Sequence, residues 1–248
     1  LKELLGIETE HQKKMEEIQN KALFDALQST IGPHFLYNSL GGIANMCEEG
    51  ENEAAADACY SLTEILRYSS NYKETEATAA DEFDNIRAYF SIMKGRYRER
   101  LHYEVELDPA CRYVMLPKLT LQPLVENAIT HGLEKLKSGG LVRVTIGATE
   151  RKLVVWVEDN GVGMTQDQLR ILNERLRTAA VDIPSRSARG NGIAVQNVDA
   201  RIRMIFGEEW GLHYRSQPGE GTQVVATLPL VDDFERTKIK SRVVGLAD

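Results

Sequence analysis

The sequence has few cysteines, few prolines and no excess of basic residues. Of its 248 residues, seven are proline and three are cysteine. Because Cys47, Cys59 and Cys111 form no CxxC motif and have no nearby histidine pair, we predict buried, inert thiols in a reducing cytosol. The net charge of −7 argues against a general binder of nucleic acid or anionic membranes. No apolar run approaches the ~20 residues of a membrane-spanning helix.

The first hundred residues are predicted to be almost wholly helical. They contain a single proline, Pro33, and their apolar residues recur at helical spacing. Residues 1–30 are rich in Glu, Lys and Gln and predict a helical stalk, although a single solvated surface helix fits the same composition. Since the sequence begins at Leu1, without methionine and inside this predicted helix, we expect an upstream part to precede it.

A sharper helical pattern begins at His34. At 100° per residue its side chains separate into an apolar face and a polar face. We therefore expect the leucines to be buried and His34 to face a binding partner on the polar side of the helix, with Asn38 one turn further along. Asn38 alternatively only caps or solvates the helix. The apolar face comprises Leu36, Leu40, Ile43 and Cys47, and the polar face comprises His34, Asn38, Gly41 and Asn45.

Two more helices are predicted before residue 100, and the second is given Asp81 as its N-cap. Their apolar residues fall at the spacing of helices that pack on other helices. Because the first two helices leave more apolar surface than a two-helix hairpin buries, we expect a homodimeric four-helix bundle. The apolar positions are Ala55, Ala58, Leu62 and Ile65, followed by Phe83, Ile86, Phe90, Met93 and Tyr97.

After Arg100 the pattern changes to alternating strands and helices, which predicts an α/β unit. The boundary is expected within residues 101–117, and residues 232–248 show no strong pattern. The predicted strands are residues 103–107, 142–146, 154–157 and 222–228, and the predicted helices are 117–136, 166–177 and 192–206.

Asp159 ends one of these strands and is followed at once by Gly161 and Gly163. A carboxylate in this position can accept a hydrogen bond from an exocyclic amino group, which adenine has and guanine replaces by a carbonyl at the equivalent position. The two glycines would let the backbone pass close to a planar base. A hairpin-type turn fits the same five residues.

Three other short motifs accompany this one. Gly190 and Gly192 open a predicted helix, where free amides attract phosphate, although a flexible loop end has the same composition. Asn127 lies in an apolar helical run and its amide oxygen suits a Mg²⁺ ion held mainly by phosphate and water. His131, one turn later, could reach the phosphates or be a satisfied helix-end histidine. Gly221 and Thr222 precede the last strand, where Thr222 would complete the adenine pocket.

In this order the four motifs resemble the Bergerat-type ATP-binding fold of histidine kinases, gyrase-type topoisomerases and related chaperones. The segments around His34 and Asn127, together with Arg201, resemble the LytS-like sensor histidine kinases over residues 25–230. The resemblance implies an α+β chain. Its parts would be a stalk (1–30), a helical dimerisation and histidine phosphoacceptor domain (31–105), a two-layer α/β sandwich that binds ATP (106–231) and a tail (232–248).

The same resemblance implies a function. His34 would be phosphorylated from ATP with Mg²⁺, and the phosphoryl group would pass to an Asp on the receiver domain of a response regulator. The chain would be the cytoplasmic fragment of a membrane sensor whose transmembrane parts lie upstream. Asn38 would orient water against the regulator's aspartyl phosphate, and residues 165–189 would form a lid over ATP.

Departures from the family pattern leave alternatives open. Phe35, not an acid, follows His34, so the general base is undetermined and Glu126 is the candidate. Pro123 stands where gyrase-type ATPases carry a water-activating Glu, which disfavours an ATPase machine. Thr130 replaces a frequent phosphate-binding Lys, which leaves a degenerate ATP-binding scaffold as the other alternative.

Overall fold

The computed structural model describes residues 33–70, 74–133, 136–149, 151–178 and 193–230. The predicted stalk and tail lie outside these residues, as do Gly190, Gly192 and residues 179–189 of the predicted lid. For His34 the structure describes the helical backbone and not the side chain.

Three helices make up the first part of the described chain. They are α1 (Pro33–Glu48), α2 (Asn52–Ser70) and α3 (Ala79–Tyr97). The predicted apolar stripe of α2 is confirmed, since Ala55, Ala58, Leu62 and Ile65 are all buried. On α3, Ile86, Phe90 and Met93 are buried as predicted, while Phe83 and Tyr97 are half-buried.

The face of α1 that packs within the chain differs from the predicted one. It comprises Phe35, Ser39, Ile43 and Met46, all buried. Leu40, by contrast, is 54% exposed and Cys47 is exposed. The reason is the position of α3, because Phe35 stacks on Tyr89 with ring centroids 5.3 Å apart and turns Leu40 outward. Of the predicted face, Ile43 is buried as expected and Leu36 is half-buried against the core.

Two local predictions in this region are also wrong. The N-cap of α3 is Thr78, whose side chain accepts from the Asp81 amide, while Asp81 accepts from the Thr78 amide in a capping box. The Thr78 hydroxyl thus satisfies the free amide of Asp81 in the first turn of the helix. Asp81 itself lies three residues inside the helix and therefore cannot be the N-cap. Of the three thiols only Cys111 is buried, since Cys47 and Cys59 lie on outward faces of their helices.

The second part of the chain is built on a five-stranded sheet. In chain order the seven strands are β1 (Glu76–Thr78), β2 (Leu101–Leu107), β3 (Met115–Pro117), β4 (Gly140–Ala148), β5 (Lys152–Asp159), β6 (Gly211–Gln217) and β7 (Gly221–Pro229). The large sheet has the order β2-β4-β5-β7-β6, in which β2 and β4 are parallel and the other pairs antiparallel. β1 and β3 form a small antiparallel pair beside α3.

Helices cover one face of the large sheet. They are α4 (Leu121–Asn127), which continues as a π-helical turn (Ala128–Leu133), α5 (Gln166–Thr178) and α6 (Ile193–Phe206). Burial alternates along the strands, and Val142, Val144 and Ile146 are completely buried on the covered face. This alternation confirms the predicted two-layer sandwich. The predicted helix over residues 117–136 is corrected to a shorter α-helix and the π-helical turn.

The helical part and the sheet are in direct contact. α3 leads through a 3₁₀ turn (Arg98–Arg100) into β2, and Phe90 of α3 stacks on Tyr103 of β2 with ring centroids 4.4 Å apart. β2 runs across the predicted domain boundary at residue 105 and pairs with β4 along its whole length. Among the helices that the structure describes, none is long and apolar enough to cross a membrane.

Candidate nucleotide-binding site

Asp159 lies at the end of β5, in the middle of the sheet. Its carboxylate accepts a hydrogen bond from the Gly161 amide at 2.8 Å and another from the Thr222 amide on β7. Burial nevertheless outweighs these two bonds and raises the pKa of Asp159 to about 6. The carboxyl is therefore a half-buried acceptor that a ligand's donor would stabilise in its charged form.

Close packing around Asp159 requires glycine. A Cβ on Gly132, in the π-helical turn, would lie 2.5 Å from Oδ1 of Asp159, and a Cβ on Gly161 would overlap the Gly132 backbone. The Gly132 carbonyl accepts from the Val162 amide at 3.1 Å. Gly161 was expected to let the backbone pass close to a base. The structure shows that its lack of a side chain makes room for the π-helical turn at Gly132.

Gly163 and Gly221 have positive φ angles of 64° and 89°, a conformation that glycine adopts at little cost. A Cβ on Gly163 would overlap the Gln217 carbonyl, and one on Gly221 would overlap the Asp159 carbonyl. The structure thus brings the two predicted glycine motifs of β5 and β7 together around the same carboxylate.

Ser216, on β6, connects these two motifs and was not predicted. Its hydroxyl accepts from the Met164 amide at 2.9 Å, donates to the Gly221 carbonyl at 2.7 Å and lies 3.0 Å from the Thr222 hydroxyl. The signal in the sequence was the alternation of Leu212, Tyr214 and Ser216, which are buried on one face of β6. Without that strand, the place of Ser216 in the site could not be inferred.

The polar residue after Asp159 has a structural role. Asn160 accepts from the Leu141 amide at 2.7 Å and donates to the Gly139 carbonyl at 2.8 Å. These bonds tie the turn after β5 to the start of β4. Asn160 therefore orients the turn that carries Gly161 and Gly163.

Asn127 and His131 lie beside this cluster. Asn127 is the last residue of α4 and is half-buried, and His131 is exposed on the π-helical turn. The wider turn, of a kind often found at functional sites, carries Gly132 against Asp159. No group of three or more metal-ligating His, Cys, Asp or Glu side chains occurs in the described part of the chain.

Helix α1, which carries His34, packs against α3. Phe35, the neighbour of His34, stacks on Tyr89 of α3. Burial, and after it the charge of Glu126 on α4, raises the pKa of Tyr89. α1 and α4 thus both pack against α3, α1 through the stack of Phe35 on Tyr89. Asn38 is half-buried on α1.

Two family models match the chain. Residues 22–101 match the histidine kinase model, and residues 115–232 match that of the histidine kinase-, DNA gyrase B- and HSP90-like ATPases. The fold and the two matches therefore define an ATP-binding domain of this superfamily joined to a histidine kinase helical region.

Curated relatives agree over most of the chain. Sensor histidine kinase YesM of Bacillus subtilis is 34% identical over 92% of this chain and 36% of the relative. Sensor histidine kinase YpdA of Escherichia coli is 31% identical over 97% and 39%, and sensor protein LytS of Oceanobacillus iheyensis is 29% identical over 92% and 37%. The chain belongs to the LytS-like family of sensor histidine kinases. It spans less than two fifths of the length of these three relatives.

Proposed function

We propose that this chain is the ATP-dependent autokinase part of a sensor histidine kinase, in which His34 accepts the γ-phosphoryl group of ATP. The observation that carries the proposal is that α1 and α4 both pack on α3: Phe35 of α1 stacks on Tyr89, and Gln122 of α4 accepts a hydrogen bond from Asn85. Helix α3 thus joins the segment that contains His34 to the helix whose continuation carries Gly132 against Asp159.

The nucleotide would be oriented by the adenine amino group, which donates to Asp159, while the glycines of the cluster keep the backbone close. Gly190 and Gly192 would hold phosphates at the start of α6, and His131 would contact them from the π-helical turn. Asn127 would hold Mg²⁺, which would neutralise charge on the phosphate oxygens. Recognition of the adenine base is thus assigned to the end of β5, and binding of the phosphates to the start of α6 and the π-helical turn.

In the transfer step, a neutral imidazole nitrogen of His34 forms a bond to the γ-phosphorus, and the bond from that phosphorus to the bridging oxygen of ADP breaks. Glu126 is the proposed acceptor of the imidazole proton. Because phosphoryl transfer depends mainly on positioning and charge neutralisation, a weak base is sufficient. The phosphoryl group would then pass to an Asp of a response regulator, with Asn38 acting in its later hydrolysis.

We also propose that the chain works as a homodimer, with residues 31–100 as the helical dimerisation and phosphoacceptor domain and residues 101–231, which include all of β2, as the ATP-binding domain. Tyr37 is 75% exposed, Leu40 54% and Tyr60 72%, so α1 and α2 leave large apolar side chains for a second copy. The whole protein would be a membrane sensor, with this chain in the cytoplasm.

The test is incubation with ATP labelled at the γ-phosphate. Label on the wild type that is labile in acid and stable in base, and absent from His34→Gln, is the expected result. His213→Gln, which changes an exposed histidine on the open face of β6, is the matched control and should keep the label. Free phosphate without protein label would indicate an ATPase, and neither product would indicate a scaffold.

A further inference from the structure

The turn between β3 and α4 is held by a buried carboxylate from another helix. Glu82, on α3, is completely buried and accepts hydrogen bonds from three successive amides. These are Leu119 at 2.6 Å, Thr120 at 2.9 Å and Leu121 at 2.9 Å. They are amides at the start of α4, which a helix leaves without partners inside itself. Glu82 therefore caps the helix that carries Glu126 and Asn127.

A buried arginine holds the same turn from the other side. Arg201, on α6, is 2% exposed and donates to the Lys118 carbonyl at 2.6 Å and to the Leu119 carbonyl at 2.9 Å. Leu119 has a φ angle of 58°, which is unfavourable for a residue with a branched side chain. The amide and the carbonyl of this strained residue are thus each bonded to a charged side chain.

The helical region reaches this turn through α2 as well. Tyr68, near the end of α2, donates its hydroxyl hydrogen bond to Glu82. The Nζ atom of Lys118 lies 4.5 Å from the centre of the Tyr68 ring. Asn85 of α3 donates to Gln122 of α4 at 3.1 Å. A change in the position of α2 or α3 would therefore act directly on the start of α4.

Stability alone is a poor explanation for this cluster. Burial raises the pKa of Glu82 and lowers the pKa of Arg201 to about 10, which shows that removal from water opposes both charges. Apolar residues of similar volume often replace buried charges without loss of stability. Directional bonds, in contrast, set the position of a backbone segment, and an apolar core does not supply them.

We infer that Glu82 and Arg201 are positioning residues for phosphoryl transfer, which hold α4 so that Glu126 and Asn127 stay aligned between the His34 segment and the nucleotide. The inference rests on the proposed function. Tyr68 extends the same cluster to α2. The hydrogen bonds of Glu82 and Arg201 run to Tyr68 and to residues 118–121, outside the cluster around Asp159, so base recognition and the positioning of α4 should be separable.

Three variants of the whole 248-residue chain test this separation: Glu82→Gln, Arg201→Lys and Tyr68→Phe. The first turns one acceptor oxygen into a donor, and the second cannot reproduce two guanidinium bonds from one planar group. The third removes a single hydroxyl and is the variant that should disturb folding least. Arg203→Lys, on the same helix but paired with Asp199, is the matched control.

The rate constant of autophosphorylation at saturating ATP and the affinity for adenosine are measured for each variant. We expect the rate constant to fall tenfold or more for Glu82→Gln and Arg201→Lys and severalfold for Tyr68→Phe, with adenosine affinity within twofold of wild type. Arg203→Lys should match wild type in both. A purely structural role would lower both quantities together.

The outcomes separate the inference from the proposed function. Wild-type rate constants in a folded Tyr68→Phe variant and in either charge variant would overturn the inference and leave the proposed function intact. Parallel losses of rate and adenosine affinity in all three variants would also overturn it. If the wild type takes no label on His34, both proposals fail.

Discussion

The half-buried carboxylate of Asp159 gives a prediction that combines base recognition with pH. If Asp159 accepts a hydrogen bond from the adenine amino group, Asp159→Asn removes a charge-assisted bond. Such bonds contribute about 1.5–3 kcal/mol, so adenosine should bind roughly 10- to 150-fold more weakly. Guanosine, which presents a carbonyl at the same position, should bind poorly to the wild type.

The pH dependence follows from the same group. Because burial raises the pKa of Asp159 to about 6, the free protein loses its charged acceptor as the pH falls through that value. Adenosine affinity should therefore fall below pH 6, by at most about tenfold per pH unit for one proton. In Asp159→Asn the affinity should be independent of pH over the same range.

The stability of Asp159→Asn shows whether weaker adenosine binding comes from the lost acceptor or from a disturbed fold. A carboxyl whose folded pKa is raised contributes stability that is fully present below its unfolded pKa and is lost as the pH rises through about 6. Unliganded Asp159→Asn should thus be at least as stable as wild type at pH 7.5, despite weaker binding. Calorimetric titration with adenosine, which carries no phosphate to titrate, measures the affinity from pH 5 to 8. Equal affinity of variant and wild type would refute the assignment of Asp159.

Gly132→Ala places a Cβ 2.5 Å from the Asp159 carboxylate, so adenosine affinity should fall about tenfold or more by calorimetry, with a loss of about 1–3 kcal/mol in urea unfolding. Leu40→Glu should weaken the homodimer, and analytical ultracentrifugation should show more monomer than wild type at equal concentration. Asn38→Ala should keep autophosphorylation and transfer while lengthening the phosphate lifetime of the regulator. Thr78→Ala removes half of a capping box and should cost about 1 kcal/mol in urea unfolding, with unchanged adenosine affinity.

Each of these expectations has a contradicting result. Wild-type affinity in Gly132→Ala would mean that the π-helical turn yields without moving Asp159. A Leu40→Glu chain that stays fully dimeric would place the dimer contact elsewhere. If the phosphate lifetime of the regulator is the same with Asn38→Ala as with wild type, Asn38 has no role in dephosphorylation. Reduced adenosine affinity in Thr78→Ala would link the N-terminal end of α3 to the site.

Much of the site could be predicted from sequence because its parts are short and local. Asp159 and its two glycines lie within five residues at a strand end, and Gly221 and Thr222 mark another strand end. The ends of neighbouring strands lie side by side in a sheet, so the meeting of the Asp159 motif and the Gly221–Thr222 motif could be expected. The α2 stripe was equally local, since the period of one helix reports its own buried face.

Other features depend on what each element packs against. Helical spacing in α1 predicts one apolar face, but only the position of Tyr89 decides that Phe35 turns inward and Leu40 outward. The alternation in β6 indicates a strand, but only its pairing with β7 brings Ser216 to the site.

The sequence by itself determined the two-part α+β organisation, the family and the local motifs, because periodicity and short motifs act over a few residues. Only the tertiary structure decided that Glu82 is a buried acceptor and Arg201 a buried donor, since an isolated charge on an amphipathic helix is typical of a solvated face. Their partners, the amides and carbonyls around Leu119, lie more than thirty residues from Glu82 and more than eighty from Arg201. Every residue except proline has the same backbone amide and carbonyl, so the sequence does not indicate which of these groups need a hydrogen-bond partner from a side chain.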